Sequence, residues 1–146
     1  MFRGNHPARV DEKGRLKLPA DFKAQLVPDG EGRFVFYITS KDGERAELWP
    51  LKAWEEIEEK LALLPTTHPG KRKFLDVTNY YGQMAEMDNQ GRLLLPQILR
   101  EKASLSADVV VYGAQKALEV MNRPTAEAKV APLTEEDMAG LSAVGI

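Results

Sequence analysis

Asp11, Lys13, Gly14 and Arg15 stand within five residues of one another, and the grouping returns as Asp88, Gln90, Gly91 and Arg92, an offset of 77 residues counted from 11 to 88. A carboxylate and a guanidinium four residues apart across a tight turn can brace that turn as a bidentate pair. The same guanidinium has five donors, so it can also turn outward to phosphate oxygens or to the O6 and N7 acceptors of guanine. Phosphate repels a carboxylate, which assigns Asp11 and Asp88 to the turn. Gly14 and Gly91 belong there too. Lys13, Arg15 and Arg92 remain candidates for contact with an anion. The first loop is the better anion binder, since Arg3, Arg9 and Lys17 surround it in the sequence, whereas the second offers Asn89, Gln90 and Leu94 at comparable places.

Other chemistries lack parts. There is no cysteine, and His6 and His68 are the only histidines, neither beside a matching serine or carboxylate motif. Thiol and acyl-transfer mechanisms are therefore not expected, nor is a phosphate-binding P-loop, a dinucleotide fingerprint or an H-E-x-x-H zinc motif. No catalytic residue, metal ligand or cofactor is assigned. Glu55, Glu56, Glu58 and Glu59 read as the wet face of a helix, because nothing else converges on them. Net charge is −2, which speaks against a generic polyanion-binding surface, yet residues 1–23 hold six cations against Asp11, Glu12 and Asp21. A mildly acidic chain with one basic edge binds nucleic acid when oligomerisation sets many such edges together. Lys71, Arg72 and Lys73 form a second basic run at a helix start, where they oppose the dipole unless something anionic offsets them. No apolar run reaches signal-peptide or membrane-spanning length, so a soluble cytoplasmic protein is expected.

The elements that position these residues follow from periodicity. Ala8 and Val10 alternate with Arg9, and Leu16 and Leu18 alternate with Lys17, the period of two half-buried strands joined as a hairpin by the loop. Pro19 ends the strand and opens a short helix on which Phe22 and Leu26 share a face. Pro28-Asp29-Gly30-Glu31-Gly32 breaks that helix before an aromatic, β-branched strand from Phe34 to Thr39. Ala46–Trp49 returns, and Pro50 opens a helix with Leu51, Trp54, Ile57, Leu61 and Leu64 on one stripe. After His68-Pro69-Gly70, a helix carries Phe74, Val77 and Tyr81. The second half then repeats the first: Ala85 and Met87, the loop, Leu93 and Leu95, Pro96, a short helix at Leu99, strands at 109–112 and 118–121, and a weaker closing helix with Ala126 and Val130. Thr134 and Asp137 form a capping-box pattern. The division expected is residues 1–65, residues 66–130 and a tail of residues 131–146.

Met1-Phe2-Arg3-Gly4, both copies of the Asp-x-x-Gly-Arg-Leu-x-Leu-Pro motif (11–19 and 88–96), Leu48-Trp49-Pro50 and Trp54 together resemble the bacterial MraZ family, over residues 1–125. The resemblance implies an α+β fold: two tandem AbrB-like swapped-hairpin β-barrel halves with short helices, related by a pseudo-twofold within the chain. It also implies a ring-shaped homo-oligomer, nucleoid-associated, that binds double-stranded DNA at repeated promoter boxes and regulates the division and cell-wall gene cluster, usually as a repressor. Arg3, Lys13 and Arg15 would face the DNA, with Arg92 and Gln90 as the second half's counterparts. Arg9 and Lys17 are positive charges outside the family motif, and the tail after Pro124 has no assignment. The rival reading is a structural or protein-interaction ring without nucleic-acid function.

Overall fold

The computed structural model describes residues 1–146. Its strands are β1 (Asn5–Val10), β2 (Arg15–Lys17), β3 (Val35–Thr39), β4 (Ala46–Pro50), β5 (Gln83–Glu86), β6 (Arg92–Leu94), β7 (Ala107–Ala114) and β8 (Ala117–Asn122). The helices are α1 (Ala20–Lys23), α2 (Leu51–Ala62), α3 (Pro69–Tyr80), α4 (Gln97–Lys102), α5 (Arg123–Lys129) and α6 (Glu135–Ser142).

All eight strands lie in one antiparallel sheet ordered β5-β3-β4-β8-β7-β1-β2-β6, which curls into a nearly closed barrel. The halves interlock within it. β1 pairs with β7 and β3 with β5, so each half lends a strand to the other. The two remaining cross-half pairs join equivalent strands: Leu16 faces Leu93 where β2 meets β6, and Glu47 faces Glu119 where β4 meets β8. A pseudo-twofold axis therefore passes between each of these pairs. The opposed glutamates are each held by a cation, Glu47 by Lys41 at 3.3 Å and Glu119 by Arg45 at 2.9 Å.

One core fills the barrel, with Leu16, Phe22, Ile38, Leu48, Leu93, Leu99, Val111 and Leu118 from both halves fully enclosed. The period-two alternation places the strand residues among these inward, and their neighbours on the ribbon β2 and β6 outward, as the sequence predicts, while Phe22 and Leu99 enter the core from α1 and α4. The helix after Pro19 is shorter than its pattern suggests. It spans one turn, Ala20–Lys23, so Leu26 packs on the core from the loop rather than from a helix face. The stripe on α2 is present but shallow: Trp54 is buried, Leu51, Ile57, Leu61 and Leu64 are half-buried, and Leu64 lies past the helix end. Two of the three cations in the basic run on α3 are engaged locally, and Lys73 is exposed without a partner. Lys71 Nζ donates to the Leu64 carbonyl at 2.9 Å, where a cation suits the carbonyls ending α2, and Arg72 pairs with Asp76 at 3.3 Å. His68, expected as a loop residue, caps α3 by accepting from the Gly70 N–H at 3.1 Å.

Candidate nucleic-acid interface

Both repeated loops close identically. In the first, the Asp11 N–H donates to the Arg15 carbonyl at 2.9 Å and the Gly14 N–H to the Asp11 carbonyl at 3.0 Å. Gly14 takes φ +84°, a left-handed conformation that a Cβ would strain. Asp11 Oδ1 accepts the Lys13 and Arg15 N–H groups, at 3.0 and 2.9 Å, and Oδ2 accepts Arg15 Nε at 2.8 Å. Asp88 binds the Gln90 and Arg92 N–H groups and Arg92 Nε in the same way, at 2.9, 2.9 and 2.8 Å. The backbone N–H of the arginine, ahead of its side chain, lowers the pKa of each aspartate below the usual carboxylate range. The expected bidentate pair is thus corrected. One carboxylate oxygen is occupied by the backbone, so the guanidinium engages through Nε alone, and its terminal nitrogens have no protein acceptor.

A third copy of the device, Asp29–Arg33, stands where the sequence suggests only a helix breaker. Asp29 accepts the Glu31 and Arg33 N–H groups at 2.9 Å each and Arg33 Nε at 3.1 Å, with Gly32 at φ +79°. Glu31 also lies 3.6 Å from Arg33 Nε, so this loop offers no spare cation. A use without anion chemistry supports the structural assignment of the aspartates and glycines.

The first two loops are different because β2 and β6 join them. The Leu95 N–H donates to the Gly14 carbonyl and the Leu18 N–H to the Gly91 carbonyl, both at 3.0 Å, so each loop continues the other half's strand. The resulting short ribbon turns Leu16 and Leu93 inward and Arg15, Lys17, Arg92 and Leu94 outward. Lys17 stands directly opposite Arg92. Two further cations complete the surface: Lys23, counted in the sequence with the basic edge of residues 1–23 but not assigned to a loop, and Arg100, which sequence reasoning missed. The Arg100 guanidinium lies on Gly14, where a Cβ would stand, and Lys23 Nζ lies against Gly91. Each comes from the half that does not supply the loop it covers, and they are 77 residues apart, a signal present in the repeat. Lys13, Lys17, Lys23 and Arg100 form no salt bridge, whereas Arg9 pairs with Asp108 at 3.0 Å and leaves the basic set. Gln90 is exposed at the second tip, in the place Lys13 takes at the first. Arg3 is exposed but precedes β1, at the opposite end of that strand from the loop, so it is not brought to the ribbon.

Like charges facing each other across a ladder destabilise it. Lys13, Lys17 and Lys23 have no carboxylate partner, Arg100 Nε donates to the Leu95 carbonyl at 3.2 Å, and Arg15 and Arg92 engage their aspartates through Nε alone, so the ribbon and the helix ends beside it form a cationic surface. A family described as "MraZ protein, putative antitoxin-like" matches residues 1–77 and 82–140, continuing past the residues that carried the resemblance and into the tail. Relatives named transcriptional regulator MraZ include those of Acidobacterium capsulatum and Koribacter versatilis, 57% and 47% identical, each match covering all of both chains. The one from Thiobacillus denitrificans is 38% identical, over 90% of this chain and 87% of its own. With the double loop, the interlocked barrel and matches of this extent in agreement, the chain belongs to the MraZ family.

Proposed function

We propose that this chain is a sequence-specific DNA-binding transcriptional regulator, a repressor of the bacterial division and cell-wall gene cluster, which binds repeated upstream boxes as a ring-shaped oligomer in the cytoplasm, on the nucleoid. The carrying observation is the ribbon on which Lys17, with no carboxylate partner, stands opposite Arg92, which Asp88 holds through Nε alone. A two-stranded ribbon fits the major groove, and the outward face of β2 and β6 has both cations for phosphates and guanine and an exposed leucine, Leu94, for apolar base edges. Lys13, Arg15, Gln90 and Arg92 form the tips and centre of this contact, with Arg3 an outlying one. The names of the relatives support the regulatory role. One ribbon binds weakly, and a ring raises affinity for spaced boxes through effective concentration.

The test is a titration of the chain's own upstream DNA against random DNA at matched salt. The expected result is selective binding, weakened by Arg15→Ala with the fold intact. Equal affinity for both DNAs would favour an interaction ring instead.

A further inference from the structure

In the first half α3 has a built seat. The Tyr37 hydroxyl and Thr39 Oγ1 both donate to the Thr78 carbonyl, at 2.9 and 2.6 Å. Trp54 stacks between Tyr37 and Phe74, with ring centroids 4.9 and 6.1 Å away. The pseudo-twofold carries this seat onto the second half by register. Tyr37 pairs with Met84 as Val110 pairs with Pro7, Met84's counterpart in the repeat, so Val110 is the twin of Tyr37 and Tyr112 that of Thr39. Tyr37 also pairs with Trp49 as Val110 pairs with Met121, and five residues further on Ala126 stands for Trp54. Those twins, Val110, Tyr112, Met121 and Ala126, line an open groove of about 660 Å3. It is open because alanine replaces tryptophan and because no helix covers it.

The helix that follows α5 as α3 follows α2 is α6, and none of its residues is buried. Between α2 and α3 the chain is turned back by the Leu64 N–H on the Leu61 carbonyl and the His68 N–H on the Pro65 carbonyl. Between α5 and α6, past the helix cap at Val130, only the Ala131 N–H bonds back, to the Lys129 carbonyl at 3.0 Å, and the following residues 132–134, with Pro132, make no second turn, so α6 stands clear of its own groove.

We propose that the groove between β7 and α5 receives α6 of a second copy of this chain. Its polarity matches. α3 enters its seat at the end of α2 and finishes at Tyr37 and Thr39, so a helix in the twin seat enters at the end of α5 and finishes at Tyr112. The rim at the entry carries Arg123 and Lys129, paired within the chain with Glu127 and Glu44, and α6 opens with Glu135, Glu136 and Asp137, which would share those cations on docking. Met138 and Leu141, one turn apart, give it an apolar face for Val110, Met121 and Ala126. At the far end Arg45 Nε is a buried donor with no hydrogen-bond acceptor, the Asp42 carboxylate lying 3.7 Å away, while Arg45 Nη1 donates to the Tyr112 hydroxyl at 2.9 Å. This is where, in the first half, two hydroxyls meet the Thr78 carbonyl; a carbonyl ending the docked helix would satisfy it. A groove on one chain filled by a helix from the next is a head-to-tail contact, which closes into a ring when the rotation allows. The inference rests on the oligomeric part of the proposed function and names its interface.

Sedimentation of full-length variants tests it. Ala126→Trp fills the groove with the first half's own residue, and Met138→Asp with Leu141→Asp spoils the helix face without touching the core. Each variant is expected to lose the oligomer and run at the mass of one chain, 16.3 kDa. Mixed in equal amounts, they are expected to form a species of twice that mass, one chain supplying the helix and the other the groove. If Ala126→Trp does not fold, the Met138/Leu141 variant decides alone. Wild-type mass in that variant, or no new species on mixing folded chains, overturns the proposal; a retained ring that still selects its DNA leaves the functional reading standing. A wild-type chain that is monomeric throughout removes both.

Discussion

At the residue scale, the repeated motif divides its labour between closing a turn and presenting charge. The aspartates and glycines were legible from sequence because turn chemistry is local. Lys23 and Arg100 were not, because each serves a loop in the other half, and only the strand pairing shows it. If they contact phosphates, Lys23→Gln or Arg100→Gln lowers affinity for specific and random DNA alike and reduces the slope of log K against log salt by about 0.9 for each phosphate no longer neutralised. An unchanged slope in a folded variant would return them to a packing role. Asp11 and Asp88 carry a separate prediction. Both ionise more readily folded than unfolded, because loop N–H groups and the arginines hold the charged form. Their stabilisation is therefore complete above the ordinary carboxylate range and is lost as pH falls through the depressed folded value. Urea midpoints measured from about pH 5 down to about pH 2 should fall less steeply in an Asp11→Asn, Asp88→Asn double variant than in the parent.

At the element scale, hairpins were the most readable feature and helix ends the least. Alternation in Ala8–Leu18 specifies two strands and an intervening turn, and the structure follows it residue by residue. The one-turn α1 shows why the helix pattern overreaches: Phe22 alone anchors it, and the N–H groups of Ala24 and Gln25 already bond back to the carbonyls of Ala20 and Phe22. Asp29–Arg33 was visible as Asp-x-x-Gly-Arg, yet it has no partner at the repeat offset, so a search by repetition passes over it. The hairpin loop is the element most exposed to substitution. Gly14→Ala forces a left-handed φ on alanine and displaces the Arg100 guanidinium, and should cost roughly 1–3 kcal/mol. Gly30 has neither a positive φ nor a neighbour near its missing Cβ, so Gly30→Ala is the matched control and should change little. Chemical denaturation of the pair measures the contrast.

At the scale of the whole molecule, the repeat announced two halves, and the pairing shows why they are not two bodies. Period-two patterning says which face of a strand is buried but not which strand lies beside it, so β1 beside β7 and β3 beside β5 could not be read from the chain. Without those pairings the strands of residues 1–65 leave edges of unpaired backbone at β1, β2, β3 and β4, each facing a strand of the second half. The core is shared in the same way, with Leu16 against Leu93 and Leu48 opposite Leu118. Neither half can lose its structure without opening the other's sheet and core, so unfolding should be a single cooperative transition. The sequence supplies the probe: Trp49 and Trp54 are its only tryptophans, and both lie in the first half. Tryptophan fluorescence therefore follows one half, while far-ultraviolet circular dichroism follows all eight strands. At fixed chain concentration the two denaturation curves should superimpose, with equal midpoints and slopes. A fluorescence transition that precedes or trails the loss of ellipticity would mean that the halves unfold separately, and that the cross-half ladders contribute less to stability than the sheet order implies.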